Sequence, residues 1–95
     1  MTYGIKPVAA TQTKFVEPTT NMFISNLLIC AEVSGSVHVH VQPAGSPDKF
    51  ALYSDLYIQK NETFTCTALK LCPGDALYVT STTGEHTFTI FSDEV

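Results

Sequence analysis

The chain has 95 residues, a formal net charge of −4, and only 15% charged side chains against 44% hydrophobic ones. That length makes one domain and leaves no room for a second. Five lysines, no arginine and no basic run exclude a phosphate-backbone binder, and no stretch approaches the ~20 apolar residues of a membrane-spanning helix.

An average soluble domain carries roughly 25% charged residues. So apolar a chain is expected to cover part of its surface with a partner. A lone sandwich whose outer faces are covered by Thr and Ser is the alternative. The opening Met1-Thr2-Tyr3-Gly4-Ile5-Lys6 lacks a basic region followed by an apolar one. It is therefore read as no secretory signal, with synthesis and folding expected in a cytoplasm.

No window sustains apolar residues at helical spacing, so every element is expected to be a strand. Residues 1–8 read as an N-terminal arm, and residues 9–95 as a single domain. Val8 to Val16 is a polar strand, followed by a loop at Pro18-Thr19-Thr20-Asn21. Met22 to Glu32 is apolar on both alternations. Strict alternation puts Phe23, Leu27 and Ile29 on one side and Ile24, Leu28 and Cys30 on the other. Such a strand belongs in a sheet centre or under a partner.

Ser34-Gly35-Ser36 turns the chain into a strand with Val37, Val39 and Val41 inward and His38, His40 and Gln42 outward. After the loop from Pro43 to Asp48, Phe50 to Gln59 forms a strand with Leu56 and Ile58 inward and a bend or bulge at Ser54-Asp55. Lys60-Asn61-Glu62 is a turn, and Thr63 to Leu69 a single strand with Phe64, Cys66 and Ala68 on one side. Pro73-Gly74-Asp75 is a turn in which Pro fixes the first central torsion and Gly accepts a positive one. Ala76 to Ser81 and His86 to Ser92 are strands, read as a hairpin closed by Thr82-Thr83-Gly84-Glu85. Seven or eight short strands at this spacing make a compact antiparallel β-sandwich or jelly roll.

Chemistry is sparse. There is no Gly-x-Ser-x-Gly and no phosphate-binding glycine loop. The nine acids are scattered, and adjacent Asp93-Glu94 point to opposite faces of a strand. The chain is expected not to be an enzyme and to need no cofactor. His38-Val39-His40 sets two imidazoles on one face about 7 Å apart. With His86, or with symmetry copies, they form a candidate metal set. The preferred reading is two polar residues on an amphipathic strand, with His86 a strand-end residue holding a hydrogen-bond partner. Tyr53, Asp55 and Tyr57 alternate onto one face as a candidate sugar-binding or protein-binding patch. Cys30, Cys66 and Cys72 form no Cys-x-x-Cys pair and are expected as packed thiols, a Cys66–Cys72 bridge being the alternative. Asn61-Glu62-Thr63 matches a glycosylation acceptor and is read as chance.

The layout from about residue 10 to 95 resembles a group of small tailed-bacteriophage virion proteins. The resemblance is carried by the Thr-rich Thr11 to Val16, by Asn26-Leu27-Leu28-Ile29-Cys30, and by the Val-alternating Val37 to Val41. It continues in Tyr53-Ser54-Asp55-Leu56-Tyr57-Ile58, in the segment from Asn61 to Pro73-Gly74-Asp75, and in the terminal Glu94-Val95. Ala31-Glu32 stands where members often carry Asn and Arg. The resemblance implies a capsid decoration (cement) protein, or a neck, tail or baseplate component. Such proteins are oligomeric, often trimeric, and bind the major capsid protein or other virion proteins, so the virion is the expected location. Tyr3, Ile5 and Val8 of the arm are the expected partner-binding anchors. A carbohydrate-binding attachment module using Tyr53, Asp55 and Tyr57 is the alternative of another class.

Overall fold

The computed structural model describes residues 2–66 and 68–94. Met1 of the expected arm, Thr67 of the expected Thr63 to Leu69 strand and Val95 of the terminal pair lie outside the described residues, as does the side chain of Glu94. The strands are β1 (Thr2–Ile5), β2 (Thr13–Val16), β3 (Met22–Ala31), β4 (Gly35–Gln42), β5 (Phe50–Ile58), β6 (Thr63–Cys66), β7 (Leu69–Leu71), β8 (Ala76–Ser81) and β9 (His86–Glu94). They form two antiparallel sheets, and no helix is present among the described residues. Sheet A runs β1-β9-β3-β6, with β7 also paired to β3; sheet B runs β2-β8-β4-β5. The all-β sandwich-like class read from the sequence is the one observed.

Alternation builds the core between the layers. Val37, Val39, Leu77 and Val79 face it from sheet B, and Leu27, Ile29, Phe88 and Ile90 from sheet A; all eight are fully buried. Each such side chain contributes about 1.5–3 kcal/mol on leaving water. Pro73-Gly74 makes the expected turn: Gly74 has φ 88° and the Asp75 N–H donates to the Cys72 carbonyl at 3.0 Å. Asp75 then ties two loops together. Its Oδ2 accepts the Cys72 N–H at 2.9 Å and its Oδ1 the Ala44 N–H at 2.8 Å.

Five expectations are corrected. Of the expected Val8 to Val16 strand only Thr13–Val16 forms, because the chain turns at Ala9-Ala10, with Ala10 at φ 58°. Residues 2–5 are not a free arm. They pair with β9 as the edge of sheet A, and Tyr3 and Ile5 pack half-buried against the core. Their apolar side chains are partly used within the chain, and their backbone is paired to β9 on one side.

Strict alternation fails in β3. A register shift between Ile24 and Asn26 turns the strand over, so Met22, Ile24, Leu27 and Ile29 face inward while Phe23, Leu28 and Cys30 face outward. The Thr63 to Leu69 strand is two pieces, β6 and β7, which pair with successive stretches of β3. Ala68 between them is exposed, and Leu71 is buried.

Finally, β8 and β9 are not a hairpin. β8 pairs with β2 and β4, β9 with β1 and β3, so residues 82–85 cross from one sheet to the other.

Candidate functional site

The histidine pair lies on the outer face of sheet B. The His38 and His40 rings are 6.3 Å apart. His38 Nδ1 accepts the Asp55 N–H at 3.1 Å, and its Nε2 lies 3.5 Å from Asp55 Oδ1. His86 is on the other side of that sheet, fully buried in the core. The three do not converge, and among the described residues no group of three His, Cys, Asp or Glu side chains is placed to hold a metal ion.

His86 has a structural role. Its Nδ1 lies 2.6 Å from the buried Ser81 Oγ, which also accepts the Gly84 N–H at 2.9 Å. The Ser81 hydroxyl and His86 Nδ1 share this hydrogen bond, with the donor set by the imidazole tautomer, and Thr83 Oγ1 lies 3.4 Å from the same nitrogen. Burial pushes the His86 pKa below its ordinary value, and the nearby Gly35 carbonyl opposes this only in part. Nε2 makes no well-formed hydrogen bond. The Ser–His contact sits at the crossing between sheets, and both side chains are fully buried, so it has no access to a substrate.

The tyrosine patch does not form. Asp55 has φ 52° and sits in an irregular stretch of β5 that shifts register against β4. The extra residues reverse the strand's facing. Tyr53 pairs with buried Val39 and packs edge-on against Phe64, with ring centroids 5.6 Å apart. Tyr57 pairs with Ser36 and is exposed. Tyr53 and Tyr57 therefore face opposite ways, and no aromatic platform spans Asp55.

A groove of about 270 Å³ opens beside β1 and β2, lined by Tyr3, Phe15, Val16, Glu17, Pro18 and Met22. Its single carboxylate, Glu17, is already paired with Lys14 at 3.1 Å. The groove offers apolar walls and no converging polar groups. All three cysteines are free thiols, and burial pushes the Cys66 thiol pKa up.

Two surfaces stand out instead. The first is the outer face of sheet A. Cross-strand rows there read Thr63–Cys30–Thr87 and then Thr65–Leu28–Thr89, with Gly4 beside Thr89. Asn26–Phe91–Thr2 follows, and then Lys70–Phe23–Asp93. Three rows carry no charge. Phe23 and Phe91 are 42% and 39% exposed, and Lys70 Nζ lies 5.4 Å from the Phe23 ring centroid.

The second surface is the β5 edge of sheet B, whose other edge is β2. β5 pairs only with β4, and its Phe50, Leu52 and Tyr57 are exposed. An apolar edge strand offers unpaired backbone groups to another chain. Of the expected anchors, only Val8 is left exposed.

The sequence reading did not single out either surface. Thr-x-Thr at 63–65 and again at 87–89 was the available signal for the face. Strand order was needed to see that these pairs flank Cys30 and Leu28. No helix of the described residues is long and apolar enough to cross a membrane. No family model, no curated protein and no solved structure matches the chain.

Proposed function

We propose that this chain is a virion structural protein of a tailed bacteriophage: an oligomeric capsid decoration protein that stabilises the shell by protein–protein contacts. The observation that carries the binding reading is the outer face of sheet A, with three uncharged rows and two half-exposed phenylalanines, on a two-layer scaffold. Charge is depleted and aromatics are enriched at the centres of protein interfaces. The virion assignment is supported by the layout resemblance.

A cement protein has to hold at least two things together, so it needs two binding surfaces. Sheet A supplies one. The β5 edge, with Phe50 and Leu52 exposed beside unpaired backbone, supplies the other. An extended segment of a shell protein can add to such an edge, with backbone hydrogen bonds giving affinity and side chains giving choice. Many weak contacts repeated over a shell sum to a strong one. The mechanism is mechanical, and no residue has a chemical role.

Mass spectrometry of purified particles made by the encoding genome tests the reading. The expected result is peptides of this chain in fixed ratio to the major shell protein. A Phe50→Asp/Leu52→Asp variant with an unchanged circular dichroism spectrum is expected to lose most of that occupancy. Particles that lack the chain would overturn the virion assignment. Full occupancy by the variant would remove β5 as the shell contact.

A further inference from the structure

We infer that the outer face of sheet A is the interface of a twofold homodimer, two copies stacking face to face about an axis that runs along β3. The inference rests on the binding reading above and names the partner on that face as a second copy of this chain.

The cross-strand rows carry the argument. β3 is flanked by β9 on one side and by β6 and β7 on the other. Two of its rows, Thr63–Cys30–Thr87 and Thr65–Leu28–Thr89, read the same from either side. A third, Lys70–Phe23–Asp93, has the same central symmetry in shape but opposite charges at its two ends.

A twofold axis along β3 turns the face over and exchanges its two sides. Cys30, Leu28 and Phe23 then lie over their own copies, and each flanking threonine lies over a threonine. Lys70 lies over Asp93 of the second copy, and Asp93 over that copy's Lys70. Lys70 and Asp93 are thereby matched, and matched twice; the other charges bordering the face, Lys6, Glu32 and Glu85, are paired within the chain.

The other axis in the plane of the face runs across the strands. It would set Lys70 over Thr63 and Asp93 over Thr87, covering both charges with no partner. Covering an unpaired charge is strongly unfavourable, whereas covering a paired one is close to neutral. The Lys70–Asp93 placement therefore favours the axis along β3. That axis also departs from the threefold symmetry that the resemblance implies.

Size and shape agree. The molecule measures 35 × 27 × 18 Å along its principal axes. Two sheets about 10 Å apart account for the thin dimension. The broad side is large enough for the ~800 Å² per partner of a standard interface. Strands related by an axis along β3 run nearly parallel, which is the aligned mode of sheet-on-sheet packing. Leu28 and Phe23 supply two apolar contacts on the axis, separated by Ser25 and Asn26, and the threonines flank Cys30 and Leu28 with small side chains.

Sedimentation equilibrium on four samples tests this. Wild-type protein is expected to dimerise at concentrations up to about 100 μM, a Kd that a modest interface supports. Lys70→Asp alone, or Asp93→Lys alone, sets like charges across the axis and is expected to weaken the dimer roughly tenfold. An equimolar mixture of the two variants restores opposite charges at both contacts and is expected to regain the wild-type affinity as a heterodimer. The chain carrying both substitutions is expected to regain it as a homodimer, which guards against either single variant failing to fold.

A wild-type monomer or trimer over that range would overturn the inference. So would single variants that dimerise normally, or a mixture that does not recover. Wild-type monomers together with the chain's presence in particles would remove the twofold interface and leave the binding reading. A rescued dimer with no chain in particles would do the reverse.

Discussion

Ser81 holds the crossing between the two sheets, and its removal should cost more than its size suggests. The hydroxyl accepts the Gly84 N–H at 2.9 Å and lies 2.6 Å from His86 Nδ1, with both side chains fully buried. Ser81→Ala leaves the Gly84 N–H without its acceptor and leaves His86 Nδ1 with only the longer 3.4 Å contact to Thr83 Oγ1. Each unsatisfied buried group costs about 1–3 kcal/mol, and we expect a loss of roughly 2–4 kcal/mol in all. For a chain of this length, 1 kcal/mol moves Tm by about 4–8 °C, so the variant should melt roughly 10–25 °C lower. The same site gives a pH signature. Burial holds the His86 pKa in the folded chain below its ordinary 6.5. The unfolded chain therefore binds the proton more readily. The stability contribution is complete above about pH 6.5 and falls as pH drops below it, by at most ~1.4 kcal/mol per pH unit for one proton. Urea denaturation from pH 7.5 down to 5 measures both effects. The double variant Ser81→Ala/His86→Leu should lose most of the acid slope. A Ser81→Ala variant within about 0.5 kcal/mol of wild type, a scatter ordinary for surface substitutions, would refute the assigned network. An acid slope that survives the His86 substitution would refute the buried neutral imidazole.

Three more outcomes follow from the packing. Phe88→Ala empties a fully buried site at the core centre and should cost about 3–5 kcal/mol; denaturant titration checks whether the domain stays folded. Gly74→Ala meets both a positive φ of 88° and the Ala44 side chain at 3.0 Å, and a loss of about 1–2 kcal/mol is expected from calorimetry. Asp75→Ala frees the Cys72 and Ala44 N–H groups that its carboxylate accepts; a loss of roughly 1.5–3 kcal/mol, with faster amide exchange at both positions, is the expected result.

Fold class was legible because it depends only on period-two patterning and turn chemistry. Val37, Val39, Leu77 and Val79 went inward as alternation requires. What alternation cannot supply is phase across an irregularity. One extra residue near Ser25 in β3 and the αL residue Asp55 in β5 each reversed the facing downstream. The first exposed Phe23 and Leu28 on the same side. The second dissolved the expected Tyr53–Tyr57 patch. Strand order was the other missing piece. Thr82 to Glu85 has hairpin composition, yet it joins strands of different sheets. Nothing local distinguishes a turn within a layer from a crossing between layers. The outer face of sheet A was hidden for the same reason: its rows draw residues from β3, β6, β7 and β9, which only the register brings together.

Thiol labelling at single-residue resolution addresses the central claim, that the outer face of sheet A is where this chain associates. Cys30 lies in the middle of a row on that face and is exposed, Cys72 is exposed at the β7–β8 turn, and Cys66 is buried. As protein concentration rises, labelling of Cys30 by a maleimide should slow while that of Cys72 stays constant and Cys66 remains unreactive. Equal, concentration-independent rates at Cys30 and Cys72 would mean that the face stays open to water and that the chain associates elsewhere.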